Sequence, residues 1–217
     1  MDLLSLLQLA APILLRATLL TLLFAVSAMV LGMALGTAVA LLRVLHVPVL
    51  EPLARVYVSA FRGTPLLVQV FIVYYGLPGI GIEFSPVTAG ILALTLNVAA
   101  YLSESLRGAV LGVAQGQWMA ARSLGLGQVQ TLRFIIAPQA LRMAVPSLSN
   151  SLISLIKDTS LVSVIAVTEL MLATKELIST TFQPFPLYIA AAGIYWALSL
   201  CFEQLQRRLE RRLAFPH

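Results

Sequence analysis

Residues 17–42 read ATLLTLLFAVSAMVLGMALGTAVALL, and no charge interrupts them. About 20 consecutive apolar residues suffice to cross a bilayer as a helix, the fold in which one segment satisfies its own backbone polar groups. This stretch is therefore a membrane span. Working outward from it, three more charge-free runs follow at 63–82, 84–103 and 177–202. Residues 143–168 make a fifth candidate, interrupted only by Lys157 and Asp158. Asn150 and the serines before position 160 make that segment less lipid-like, which suits a span facing protein or water. The expected fold is an all-α integral membrane protein of five transmembrane helices, a single domain over residues 1–217. Residues 1–15 are expected to lie along the outer surface before Arg16 leads into the first crossing. They do not read as a cleaved signal, since they open on Asp2 rather than basic residues and the apolar run far exceeds an h-region.

Composition agrees. The chain is 59% hydrophobic and 11% charged, with a mean hydropathy of +0.94, whereas about a quarter of an ordinary soluble chain is charged. The net charge is +5, and its placement reports topology. With the N-terminus outside and the C-terminus cytoplasmic, the inward segments hold Arg43, Arg55, Arg107, Arg122, Arg133, Arg142, Arg207, Arg208, Arg211 and Arg212, and the outward ones only Arg16 and Lys175. That is the asymmetry of the positive-inside rule, and it needs no nucleic-acid partner to explain it. Arg62 and Lys157 are left within spans. The single Cys201 excludes an intrachain disulfide, and His46 and His217 stand without a cluster at ligand spacing, so no metal site is expected.

The punctuation between spans is local. Gly32 and Gly36 have the small-xxx-small spacing that lets helices approach, toward a neighbour in the same chain ahead of the alternative of a dimer seam. Pro48 and Pro52 disfavour helix in the link 43–55, which places the start of the second helix near Val56 and its end at GLPGIG, 76–81. Glu104 and Arg107, three residues apart, share a helical face and can pair, or simply mark the membrane boundary. Gly108, Gly112 and Gly116 recur every four residues, giving a face for tight packing or an easily bent entry to the loop beyond.

That loop, about 108–142, is the polar exception. Residues 118–124, WMAARSL, suit a short helix, and Gly125 stands where a left-handed cap belongs. A second piece follows, with Val129, Leu132, Ile135 and Ile136 near helical spacing, and Pro138 is expected to end or kink it. A loop this long between spans is usually functional, although an interfacial helix pair resting on lipid headgroups fits the composition equally.

The run QWMAARSLGLGQVQTLRFIIAPQALR, 117–142, resembles the "EAA" loop of bacterial ATP-binding-cassette importer permeases, roughly E-A-A-x-x-x-G, nine residues, then I-x-L-P. Ala120, Ala121, Gly125, Ile135 and Pro138 match; Met119 stands in place of the glutamate and Ala137 in place of the leucine. FRGTPLLVQVFIVYYGLP (61–78), AYLSESLRG (100–108) and SLIKDTSLVSVIAVTEL (154–170) are similar to segments of the polar amino acid branch, so the resemblance covers about residues 12–205. It implies a multi-pass subunit of the bacterial inner membrane. It also implies two copies of a separate ATPase that bind the ATP and Mg, a second permease (itself or a homologue), an external or periplasmic binding protein, and an amino acid substrate. The loop would insert into the ATPase, with Trp118, Met119 and Leu124 giving apolar contact and Arg122 meeting acidic groups. The chain carries no cofactor of its own, is not itself an enzyme, and shows no G-x-x-x-x-G-K-[ST].

Ionisable groups inside a span are costly and usually face a cavity or partner. Asn97, Ser154, Lys157 and Asp158 are therefore candidates for the translocation route of a zwitterionic solute; Lys157 and Asp158 are equally readable as interhelical locks. Asn150, Ser154, Lys157 and Thr168 are expected on one helical stripe. The competing classes are an ion-driven secondary transporter, which would commonly show inverted repeats, and a membrane scaffold without solute flux.

Overall fold

The computed structural model describes residues 3–213, and every regular element in that range is a helix. Helix α1, Leu3–Val44, is one continuous helix of 42 residues, about 63 Å long at 1.5 Å per residue and so longer than a bilayer core. The expected surface segment at the N-terminus is therefore corrected: residues 3–15 continue α1 through Pro12. Leu6, Ala10 and Leu14 are buried against Leu170, Leu177 and Leu187, and that packing holds the segment in line.

Helix α2 spans Leu50–Gly63, starting six residues earlier than the prolines suggest. Pro52 falls in its first turn, where a missing N–H breaks no intrahelical bond. At Gly63-Thr64-Pro65 the helix breaks: Thr64 is extended at φ −120°, ψ 147°. Helix α3, Leu66–Phe71, departs at 110° to α2 as far as Ile80, widening into a π turn at Ile72–Gly76 and tightening to a 3₁₀ turn at Leu77–Ile80. Gly81 closes this run at φ 84°. The uninterrupted second crossing expected from 63–82 is thus a broken pair.

Helix α4, Pro86–Gly112, starts behind Ser85, whose hydroxyl accepts from the Thr88 N–H at 3.2 Å. It is the central element: 61% of its most apolar window is buried, against 11% for the last helix. Ala89, Gly90, Ala93 and Ala99 on α4 admit close neighbours, and α1 takes the place through Gly32 and Gly36. A Cβ on Gly36 would lie 2.9 Å from the Ala99 carbonyl oxygen, so the small-xxx-small spacing does serve a partner in the same chain. Gly108 and Gly116 have nothing within 4 Å of where a Cβ would stand, so they are not a packing face.

After the loop helices α5, Gln115–Ser123, and α6, Gln128–Thr131, the chain passes through a π turn, Leu132–Ile136, into α7, Ala137–Asp158. Pro138 neither ends nor stops this run. The widened turn before it relieves the clash its ring would make with the preceding carbonyls, and the Gln139 side chain donates to the Ile135 carbonyl at 2.8 Å. Helix α7 stops at Asp158, well short of Thr168, which corrects the expected stripe. A 3₁₀ segment, Thr159–Ile165, and a left-handed Ala166 at φ 60° turn the chain. Two helices follow, α8, Leu170–Thr181, and α9, Pro184–Leu213. By length and apolarity α1, α4 and α9 can each cross a membrane, and the bent α2–α3 pair adds a fourth if it is counted as one span; α7 does not pass on those grounds.

Candidate functional site

Three features concentrate polar or exposed chemistry. The first is the loop. Helix α5 ends in tightened turns: the Leu124 N–H reaches the Ala120 and Ala121 carbonyls at 3.2 Å each, and Gly125 donates to the Arg122 carbonyl at 2.9 Å. Gly125 adopts φ 73°, the left-handed conformation read from its position. The Leu126 N–H returns to the Ala121 carbonyl at 3.1 Å, closing the corner. Ala121 is fully buried and Trp118 packs against the cluster that holds Leu132 and Ile136, so one face of α5 rests on the bundle at the π turn. The opposite face is open: Met119 is 62% and Leu124 76% exposed, with Ala120, Arg122 and Pro138 also exposed. Such apolar side chains on a projecting knob have no partner among the described residues.

The second feature is an ion cluster at the ends of α1, α2 and α4. Arg107 grips Glu104 with Nη2 to Oε2 at 2.9 Å and Nε to Oε1 at 3.2 Å, realising the pairing read from the spacing. Arg43 also donates to Oε1, and Arg62 stands 3.7 Å from Oε2 while lying over the Tyr101 ring at 5.5 Å. Sequence reasoning missed Arg43 and Arg62. The signal was there: Glu104 is the only acidic residue between Glu83 and Asp158, and an arginine left within a span needs a carboxylate.

The third is a cleft of about 570 Å³ between the α2–α3 break, α4 and α7, lined among others by Thr64, Asn97, Tyr101, Ser154 and Asp158. The break leaves carbonyls of α2 without helical donors, and two side chains supply them. Gln69 Nε2 donates to the Phe61 carbonyl at 2.9 Å and the Thr64 carbonyl at 3.1 Å, and Asn97 Nδ2 donates to Gln69 Oε1 at 2.9 Å and the Phe61 carbonyl at 3.3 Å. Asn97 thus serves the break as well as facing the cleft; Gln69 was not singled out from sequence. Asn97, Ser154 and Asp158 come together here, and Lys157 does not. It turns, as adjacent helical residues must, into a separate furrow of about 410 Å³ between α7 and α9, beside Glu203, Arg207 and Glu210.

A buried carboxylate outside these sites also escaped sequence reading. Glu169 is fully buried, accepting from the Leu172 N–H at 2.9 Å and the Tyr195 hydroxyl at 2.8 Å. With Thr21 accepting from the Leu170 N–H at 3.1 Å, it pins the start of α8 to α1 and α9.

Comparison with known proteins accords with this geometry. Residues 28–215 match the family described as binding-protein-dependent transport system inner membrane component. The probable amino-acid ABC transporter permease protein YckA of Bacillus subtilis (strain 168) is 43% identical over 194 residues, 89% of this chain and 86% of that protein. The L-cystine transport system permease protein TcyB of the same organism is 44% identical over 185 residues, 85% of this chain and 79% of that protein. A crystal structure of an amino acid ABC transporter with histidines superposes with a TM-score of 0.92 at 34% identity, covering 98% of this chain and 99% of that one. With most of its length matched, the chain belongs to the binding-protein-dependent transport system inner membrane components, among the amino-acid ABC transporter permeases.

Proposed function

We propose that this chain is the transmembrane subunit of an ATP-driven importer that admits polar amino acids to the cytoplasm. Its five crossings are α1, the broken α2–α3 pair, α4, α7 and α9, with the N-terminus outside, the C-terminus inside and α8 on the outer side. Helix α7 completes the count although it is too polar for lipid alone, because α4 and α9 shield it. The loop at 108–142 seats in a separate ATPase subunit, two of which bind ATP and Mg and close on each other. A second permease, this chain or a homologue, completes the pathway, and an external binding protein delivers the solute.

The observation that carries this reading is the projecting α5, with one face fixed to the π turn through Ala121 and Trp118 and the other presenting Met119 and Leu124 to no partner of its own. A lever needs that combination, a stiff root and a free apolar surface. Nucleotide then biases one arrangement of the helices through contacts made differently in each state. Asn97, Ser154 and Asp158 face the solute cleft, and Lys157 serves the adjoining α7–α9 furrow.

The test is uptake of labelled amino acids into proteoliposomes holding the permease, its ATPase and the binding protein. Accumulation that follows ATP and vanishes when the ATPase is omitted supports the reading. Accumulation driven by an ion gradient without the ATPase overturns it in favour of a secondary transporter, and a complete absence of flux favours a scaffold.

A further inference from the structure

We propose that a groove at the basic end of the bundle binds the acyl chain of an anionic phospholipid, whose phosphate is held by Arg133. The groove encloses about 380 Å³ between the last turns of α1, the second half of α4 and the start of α7, with Leu41, Val110, Leu132, Ala137 and Leu141 among its walls. Among the described residues, Arg133 is the sole charged side chain lining it.

The occupant follows from those walls. An apolar trough cannot hold a polar solute, because each buried polar group would go without a hydrogen bond. Hydrocarbon suits it, and in a membrane protein the nearest hydrocarbon is lipid. The groove lies at the end of α1 beside Arg43, where Arg43, Arg62 and Arg107 gather on Glu104. Arg133 is exposed, its guanidinium lies 5.4 Å from the ring of the exposed Phe134, and no carboxylate among the described residues pairs with it. A guanidinium offers a planar fork of donors that fits a phosphate. A zwitterionic lipid would place a cation beside that fork, so the anionic class is favoured. The orientation proposed above supplies only the name of the leaflet, the cytoplasmic one.

The consequence reaches the loop. The walls bring together α1 and α4, which carry spans, with Leu132 and Ala137, on which the loop turns back into α7. A bound chain fills the joint between the bundle and the knob.

The test uses the full chain in nanodiscs of phosphatidylcholine containing a trace of phosphatidylglycerol with a photoactivatable acyl chain, in parallel with the matching phosphatidylcholine probe. The phosphatidylglycerol probe is expected to label peptides holding Leu41, Val110 or Leu141 above the phosphatidylcholine probe. Arg133→Gln should lower that excess by about fivefold, the worth of one basic residue at an anionic surface, and Arg133→Lys should keep most of it, which separates loss of charge from loss of fold. Ala137→Leu, the residue of the loop pattern at that position, fills the trough and should remove the labelling there. Equal yields from the two probes, or yields indifferent to both Arg133→Gln and Ala137→Leu, overturn the proposal. So does loss of labelling on adding the ATPase subunit, since protein and not lipid then covers the groove. None of these readouts depends on transport, so failure here leaves the importer reading to its own test.

Discussion

Gly36→Ala measures how closely α1 and α4 are joined. A Cβ there would meet the Ala99 carbonyl oxygen at 2.9 Å, Leu102 Cβ at 3.0 Å and the Ser103 nitrogen at 3.3 Å. Two of these atoms are backbone and the third is fixed to it, so no rotamer change relieves the contact and the helices must separate by a few tenths of an ångström. Overpacking of this kind costs about 1–3 kcal/mol. Taking about 2 kcal/mol, and about 2–4 °C per kcal/mol for a chain of this size, the midpoint of thermal unfolding in detergent should fall by about 4–8 °C. Two neighbouring substitutions fix the interpretation. At Gly32 the closest atom is Val98 Cγ1, with backbone no nearer than 3.5 Å. Val98 is buried and β-branched, so its methyl has little room to turn away, and Gly32→Ala should also destabilise, by about 1–3 kcal/mol. Gly108 has nothing within 4 Å, so Gly108→Ala should gain about 0.5–1 kcal/mol from the lower backbone entropy of alanine. A Gly36→Ala midpoint at or above that of the natural chain, or a Gly108→Ala loss as large, would refute the reasoning.

Three further substitutions probe the other features. Glu104→Gln leaves Arg43, Arg62 and Arg107 facing one another and should cost about 2 kcal/mol in the same unfolding assay, while Arg107→Gln, which leaves Glu104 two partners, should cost less. Gly125→Val forces a β-branched residue to φ 73°, at about 1–2 kcal/mol, and should weaken stimulation of the ATPase in the reconstituted complex without changing the helicity of the free chain. Lys157→Met should lower either uptake or yield of assembled complex; normal values of both would remove Lys157 from the pathway and from interhelical locking alike.

The long apolar helices were legible because lipid imposes a simple rule on them: α1 contains the charge-free run at 17–42 and α4 all but the first two residues of that at 84–103, whereas the run expected as one crossing at 177–202 begins in α8 and enters α9 only at Pro184, after a left-handed Phe182. Gly125 was legible because a left-handed corner after a short helix asks for glycine. The break at 63–65 was hidden because hydropathy counts residues and is blind to direction; Gly63-Thr64-Pro65 can sit in a smooth apolar run as easily as in a 110° bend. What decides is tertiary, namely Gln69 and Asn97 standing ready to take the freed carbonyls. Pro138 misled for the converse reason, since a π turn absorbs it and no sequence pattern announces that turn. Glu169 was missed because its burial depends on Tyr195, which comes from a distant helix, while its other donor, the Leu172 N–H, is a local cap at the start of α8.

The same accounting of donors narrows what the cleft offers a solute. Both hydrogens of the Asn97 amide nitrogen are committed, one to Gln69 and one to the Phe61 carbonyl, which leaves its oxygen as the group able to face the cleft. Asp158 adds a carboxylate, and Thr64, whose hydroxyl already donates to the Ala60 carbonyl at 2.8 Å, adds no free hydrogen. Lys157, the cation nearest in sequence, has turned into the other furrow. Tyr101, Asn150 and Ser154 also bring donors to the cleft, so its bias is one of charge: the Asp158 carboxylate should grip a solute by its ammonium end. A hydrogen bond to a charged group is worth about 1.5–3 kcal/mol, so Asp158→Asn should raise the KM for uptake by at least about tenfold while the complex still assembles. Asn97→Ala should disturb stability as well as uptake, because it also leaves Gln69 Oε1 without its donor at the α2–α3 break. If Asp158→Asn transports with an unchanged KM, the solute is held elsewhere, and the carboxylate belongs to the packing of α7.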